Sequence, residues 1–303
     1  MVAGVRVIFL IFGVLPAFLS PTQGQDLPQE CGKLRETQLH NEMEITAADE
    51  YTWIGRVGYS QADNPKPSFL CLAVLIHQRY AILPAHCVKA GHYTIEFILF
   101  GDWRANENLK AGDCRLERGF TSCSPPPQAV DIEEIAMHPL YDDAKHDYDI
   151  AVAKMVRSVQ LSEFVQPLCL PPAREIEGNH ISRRLEMAGF SRWNHSVEEQ
   201  MDDFEWRRKV TRHTSSLEFC TAAVDFSRVA FTQNHLCGVQ PGTNELMSGA
   251  PLMDVEVVDG KPRNFYLVGL NTFGKKSTIS SPFTVNGFIR ILPFRNWILK
   301  NIE

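Results

Sequence analysis

The sequence has no excess of charge of one sign: 30 lysines and arginines stand against 36 aspartates and glutamates, a formal net charge of −6 over 303 residues. The charges are spread along the chain without a basic stripe, which removes the usual reason to expect nucleic acid or a lipid surface as a partner. After residue 19 no apolar run is long enough to span a bilayer. Internal repeats, low-complexity linkers and the cysteine–histidine spacings of zinc modules are also missing. Neither a metal nor a cofactor is therefore expected. Glycine (19) and proline (18) are at ordinary levels, which excludes collagen-like and disordered classes. A chain of this length can bury a large core, as one big domain or two ordinary ones.

What is present begins at the N-terminus. One arginine, Arg6, precedes the apolar stretch Val7–Leu19, and small or polar residues follow up to Gly24. That order reads as a secretory signal peptide over 1–24, with the mature protein starting near Gln25. A membrane anchor is the alternative, but the stretch falls short of the roughly 20 residues needed to span and contains a proline. Eight cysteines follow, at 31, 71, 87, 114, 123, 169, 220 and 237. An even count in an extracellular chain implies a disulfide framework, although about 105 pairings are open on count alone. Residues 25–45 read as an extended tail. From Trp53 onward, short β-branched or aromatic runs alternate with turn residues: Phe69–Ile76, Tyr80–Leu83, Thr94–Phe100, Ile150–Met155 and Phe265–Leu270. Ala105–Gln128 holds two cysteines and reads as a stapled surface loop. A helix is expected only near the end, at Pro293–Asn301, where proline opens an apolar-faced segment. Many short strands and few helices argue for an all-β barrel or sandwich. The triplet Asn194-His-Ser196 is a glycosylation sequon.

Three segments carry chemistry. They are Leu83-Pro-Ala-His-Cys87, Asp147-Tyr-Asp-Ile-Ala-Val152 and Ser248-Gly-Ala-Pro-Leu252. Each is bland alone, since a histidine beside a cysteine is more often packed than catalytic. In the order His, Asp, Ser they resemble the chymotrypsin-like serine protease family, closest to the protease domain of arthropod clip-domain proteases. Ile135–Tyr141, Gln166–Pro171, Leu267–Gly274 and Trp297-Ile298 extend the resemblance over about 46–303. It implies two six-stranded antiparallel β-barrels with a short C-terminal helix. It also implies the pairings Cys31–Cys169, Cys71–Cys87, Cys114–Cys123 and Cys220–Cys237. The tail before Cys31 is too short and too poor in cysteine to be a clip domain. In the family's mechanism His86 would take the proton of the Ser248 hydroxyl while Asp149 holds the imidazole's tautomer. Asp147 competes with Asp149, but only Asp149 directly precedes the Ile-Ala-Val strand.

The sequence also departs from the family. The nucleophile motif Gly-Asp-Ser-Gly-Gly-Pro is here Leu246-Met-Ser-Gly-Ala-Pro251. Leu246 stands where a glycine N–H helps build the oxyanion hole. A side chain in a glycine-type backbone costs about 1–2 kcal/mol and tends to turn that N–H away, and losing one such donor costs about two to three orders of magnitude in rate. Met247 replaces the aspartate that pairs with the new N-terminal ammonium after zymogen cleavage. Counting back from Thr52-Trp53 to where that terminus belongs lands on His40-Asn-Glu-Met43, preceded by Leu39. There is no basic cleavage residue and no hydrophobic new terminus. The specificity slot maps to Gly242, Thr272, Phe273, Gly274 and Asn286, with Asn286 in place of a wall glycine and no aspartate at the base. The leading expectation is a secreted protease homologue with little or no turnover that binds an extracellular protease or protease substrate. The alternative is an active endopeptidase using the retained trio.

Overall fold

The computed structural model describes residues 27–28, 30–62, 64–106, 108–117, 119–173, 180–191, 204–223, 230–241, 246–276 and 283–302. The expected signal peptide (1–24), the sequon at Asn194 and the slot residue Gly242 lie outside these. Two closed barrels follow one another along the chain. The first is built from β1 (Ile54–Gln61), β2 (Asn64–His77), β3 (Tyr80–Leu83), β4 (Thr94–Phe100), β7 (Gln128–Met137) and β8 (Ala151–Met155), in the order β1-β2-β3-β8-β7-β4. The second uses β9 (Arg184–Gly189), β10 (Arg208–Ser215), β11 (His235–Pro241), β12 (Pro251–Val258), β13 (Lys261–Lys276) and β14 (Phe283–Arg290), in the order β10-β11-β14-β13-β12-β9. Every pairing within the barrels is antiparallel. The strands read from sequence coincide with these elements, except that Ile150 lies just ahead of β8. The loop at 105–128 contains a small hairpin, β5 (Cys114–Glu117) and β6 (Phe120–Cys123), stapled across its first and last residues.

All four disulfides pair as the resemblance implied, Cys31–Cys169, Cys71–Cys87, Cys114–Cys123 and Cys220–Cys237. Two expectations change. The segment 25–45 is not simply extended: α1 (Glu36–Leu39) forms within it. The C-terminal helix α3 (Arg295–Lys300) is present, but α2 (Leu217–Ala223) also forms. The Ser216 hydroxyl accepts the Phe219 N–H at 3.2 Å, capping an orphan donor at the start of α2. Seven residues give too weak a periodicity to be read as a helix, so a cap and the Cys220 anchor to β11 decide it. Among the described residues no helix is long and apolar enough to cross a membrane.

The barrels meet around an aromatic cluster. Trp53 lies edge to face with Tyr51 at 5.9 Å and tilted on Phe265 at 5.8 Å, and its indole N–H donates to Met253 Sδ at 3.2 Å. Such pairs contribute about 0.5–1.5 kcal/mol beyond the area they bury. A polar joint also links segments of the two barrels. Arg56 donates from Nη1 to Asp102 Oδ2 at 2.5 Å, with both side chains buried. The wholly buried Arg207 donates to the Asp102 carbonyl at 3.3 Å and to the Ala48 carbonyl at 2.7 Å.

Breaking one member of a buried pair leaves the other charge uncompensated, at a cost of about 3–5 kcal/mol. Asp102→Asn should therefore lose about that much stability in denaturant titrations run with the disulfides oxidised. A loss under about 1 kcal/mol, the range of exposed pairs, would mean that Arg56 reaches solvent in the variant.

Candidate active site

The cleft is assembled from both barrels. After β3, Pro84 ends the extended run and a single 3-10 turn, Ala85–Cys87, carries His86. The Cys71–Cys87 disulfide ties that turn to β2. Asp149 lies two residues before β8 and is completely buried. Its Oδ1 accepts the His86 backbone N–H at 2.8 Å, and its Oδ2 lies 2.6 Å from His86 Nδ1. Burial pulls the Asp149 carboxyl upward, but the neighbouring His86 and His146 rings and the His86 N–H outweigh it and hold it at about 2. An ionised carboxylate facing Nδ1 fixes the proton there, which leaves Nε2 as the acceptor that a general base needs.

The competing acid, Asp147, does other work. Its Oδ1 accepts from the Thr232 hydroxyl at 3.0 Å and from Asn234 Nδ2 at 2.8 Å, joining the 142–149 loop to the second barrel.

Ser248 sits just before β12, and its carbonyl accepts the Leu72 N–H of β2 at 2.7 Å. Gly249 makes this approach possible. It has φ 88°, and a Cβ there would fall 1.9 Å from the Leu72 carbonyl oxygen. Ser248 and His86 line one cleft of about 250 Å³, with His146, Leu246, Asn271, Thr272, Phe273, Gly274 and Asn286. Four of the five expected slot residues are thus gathered with the His–Asp pair and the serine.

Leu246 and Met247 are both buried and belong to the main apolar core. The Met247 N–H donates to the Phe190 carbonyl at 3.0 Å, and Leu246 pairs with Ser191 in an isolated antiparallel bridge. Leu246 is not among the residues with positive φ. The segment where a free N-terminus would begin is occupied differently: Glu44 pairs with Arg208 at 2.5 Å, and the Glu44 carbonyl accepts the Lys209 N–H at 2.8 Å. Residues 44–46 therefore pair with residues 207–209 at the start of β10.

Asn286 is buried and lines the cleft. Its Nδ2 lies 2.8 Å from the place of a Cβ on Gly274 and donates to Asn271 Oδ1 at 3.1 Å. Asn271 in turn donates to the Leu246 carbonyl at 3.2 Å. Thr272 donates to the Gly287 carbonyl at 3.1 Å. The Phe273 ring packs against those of His146, His235 and Phe231.

Sequence reasoning missed Asn271, His146 and His235. His146 lies 5.4 Å, ring centre to ring centre, from His86, and its Nδ1 is 3.5 Å from Asp149 Oδ2. That contact with Asp149 pulls the His146 pKa up, against the opposing effect of burial. Burial pushes His235 below its ordinary value. The Thr232 N–H donates to His235 Nδ1, so His235 Nε2 carries the proton and donates to the His146 carbonyl at 3.0 Å. The only signal for His146 in the sequence was its position three residues ahead of Asp149.

A family model described as Trypsin matches residues 43–298. Similar proteins include phenoloxidase-activating factor 3 of Holotrichia diomphalia, 27% identical over 86% of this chain and 71% of that protein. The CLIP domain-containing serine protease HP8 of Bombyx mori is 28% identical over 91% of this chain and 73% of its own length. Among solved structures, the Drosophila Grass clip serine protease of the Toll pathway superposes with a TM-score of 0.72 over 90% of this chain and 74% of that one, at 22% identity. That identity supports the fold alone.

Asn286→Gly should reopen the slot. The Asn271 amide oxygen loses its partner, which costs about 1–3 kcal/mol unless water replaces it. We expect a small aromatic probe such as indole to give saturation-transfer NMR signals with the variant and none with the wild type. Equal signals from both would mean that the slot is open with Asn286 in place.

Proposed function

The chain belongs to the trypsin family, and on that premise we propose that it is a secreted protease homologue. It binds a protease or a protease substrate in an extracellular cascade and turns over little or no peptide itself. The observation that carries this reading is the apolar burial of Leu246 and Met247. The family uses a glycine N–H at one of these positions and an ion-pairing carboxylate at the other. A terminal ammonium brought beside Met247 would be buried without a counter-charge, which costs several kcal/mol. With residues 44–46 paired to the start of β10, this segment does not offer such a terminus. An oxyanion hole short of one donor loses about two to three orders of magnitude in rate. The disulfide framework favours an oxidising compartment. Relatives named as a phenoloxidase-activating factor and a Spaetzle-processing enzyme support a place in a proteolytic cascade and a protein partner.

A second reading, an active endopeptidase, has one specific observation behind it. His86 and Asp149 keep a 2.6 Å contact, and Ser248 lines the same cleft. Turnover would then require a partner that orders the hole without the terminal ion pair.

The two readings separate on a serine-directed phosphonate probe and a peptide library, with Ser248→Ala as control. The expected result is no labelling and no cleavage by protein shown to be folded. Labelling that disappears in the control would establish the endopeptidase reading instead. For the binding role, the full chain immobilised and exposed to extracellular fluid should retain a protease or a protease substrate. Recovery of neither would count against the cascade assignment.

A further inference from the structure

The cleft floor contains an arrangement that the triad does not use. The Asp149 carboxylate is flanked by two imidazoles instead of one. Oδ2 lies 2.6 Å from His86 Nδ1 and 3.5 Å from His146 Nδ1, and the three donor atoms fall within 4.8 Å of one another. The carboxylate is buried and the two rings are partly exposed.

His146 is held in this position by the rest of the fold. Its backbone has φ 52°, a left-handed conformation that a non-glycine residue keeps only when its surroundings impose it. Its carbonyl is fixed by His235 Nε2–H at 3.0 Å. The neighbouring Asp147 is tied to Thr232 and Asn234, and the ring rests between His86 and Phe273. The result of this bracing is a buried Nδ1 that reaches the Asp149 carboxylate only at 3.5 Å, the outer limit of a hydrogen bond. A buried polar atom left in that state calls for an explanation.

We propose that His86, His146 and Asp149 form a binding site for a divalent ion of the zinc class. Two imidazole nitrogens and one carboxylate oxygen are a borderline-soft donor set suited to zinc. Ligand bonds of about 2.0–2.2 Å in tetrahedral geometry separate donors by roughly 3.3 Å. The His146–Asp149 spacing already fits, the His86–Asp149 contact must open by less than an ångström, and the two imidazole donors, which lie within 4.8 Å of each other, must close on the ion. The sequence spacing that excluded a zinc module does not bear on this site, because His86 comes from a different loop and meets the other two only in the folded barrel. The cysteines beside His86 contribute nothing, since Cys71 and Cys87 are joined to each other. An ion bound here takes His86 Nδ1 and Asp149 Oδ2 out of their hydrogen bond, so the site exists in a metal-loaded or a triad-competent form, never both.

Binding rather than turnover is the readout, so the test does not depend on whether Ser248 is active. The metal-free full chain is titrated with zinc ions by calorimetry at neutral pH, alongside His146→Ala and His146→Gln, with thermal unfolding to establish that each variant folds. One equivalent is expected to bind the wild type, and the alanine variant should bind about a hundredfold more weakly or not at all, at least the loss typical of disturbed ligand shells. Cobalt(II) should give intense visible bands in the wild type that vanish in both variants. The proposal is overturned if the wild type binds no equivalent, or if both folded variants keep its stoichiometry and affinity, which would assign the ion to other histidines.

Discussion

A backbone contact between the barrels, from the Leu72 N–H to the Ser248 carbonyl at 2.7 Å, sets where the serine stands against the histidine. Its energetic worth is ordinary, about 1 kcal/mol net for a neutral hydrogen bond; its importance lies in connectivity. Leu72 follows Cys71, whose sulfur is bonded to Cys87, and Cys87 follows His86. The serine of one barrel and the histidine of the other are thus joined through one hydrogen bond, one disulfide and two peptide steps. Gly249 is the condition for it, because a Cβ would fall 1.9 Å from the Leu72 carbonyl oxygen. The second fixed point is Asp149, which accepts the His86 backbone N–H as well as facing its ring. Turn and imidazole are oriented by the same buried carboxylate.

These constraints explain which parts were legible in the sequence. Strands such as Tyr80–Leu83 and Thr94–Phe100 declared themselves because β-branched and aromatic runs of that length fit a pleated, buried surface. Asp149 could be chosen over Asp147 from its place beside the Ile-Ala-Val strand, and the two carboxylates do have separate partners. The disulfide pairing came from the family resemblance; count and spacing left it open. Helix α2 stayed hidden because a capping hydroxyl and an anchoring cysteine decide it, and both act through neighbours that the local pattern does not show. His146 and Asn271 were illegible for a stronger reason. His146 turns inward because His235, 89 positions further along the chain, holds its carbonyl. Asn271 looks like one more strand residue, and its role depends on Asn286 and Leu246 meeting it from two other segments.

The replacements around Ser248 follow a consistent physical logic. A buried carboxylate–ammonium pair is costly to desolvate, and exchanging it for apolar groups of similar volume is often neutral or stabilising. Met247 stands in place of the carboxylate and, with Leu246, lies within the main core, while Asn271 takes up the Leu246 carbonyl. The loop bearing the serine is held by apolar burial and by the Met247 N–H to the Phe190 carbonyl.

The floor of the cleft obeys the opposite logic. Asp149 is a charge taken out of water, and it persists only because the His86 N–H and two imidazoles face it. Deleting any of these would expose the cost of burying that carboxylate, whereas deleting the ion pair at Met247 removes a charge altogether. Loss of the activation machinery is thus easy for this fold and loss of the His–Asp core is expensive, whether or not peptide bonds are ever cut there. Retention of His86 and Asp149 therefore tells less about catalysis than their chemistry suggests, and the apolar pair ahead of Ser248 tells more. The second histidine on Asp149 adds to the same point: it deepens the dependence on that carboxylate and gives the floor of the cleft a donor set that hydrolysis does not need.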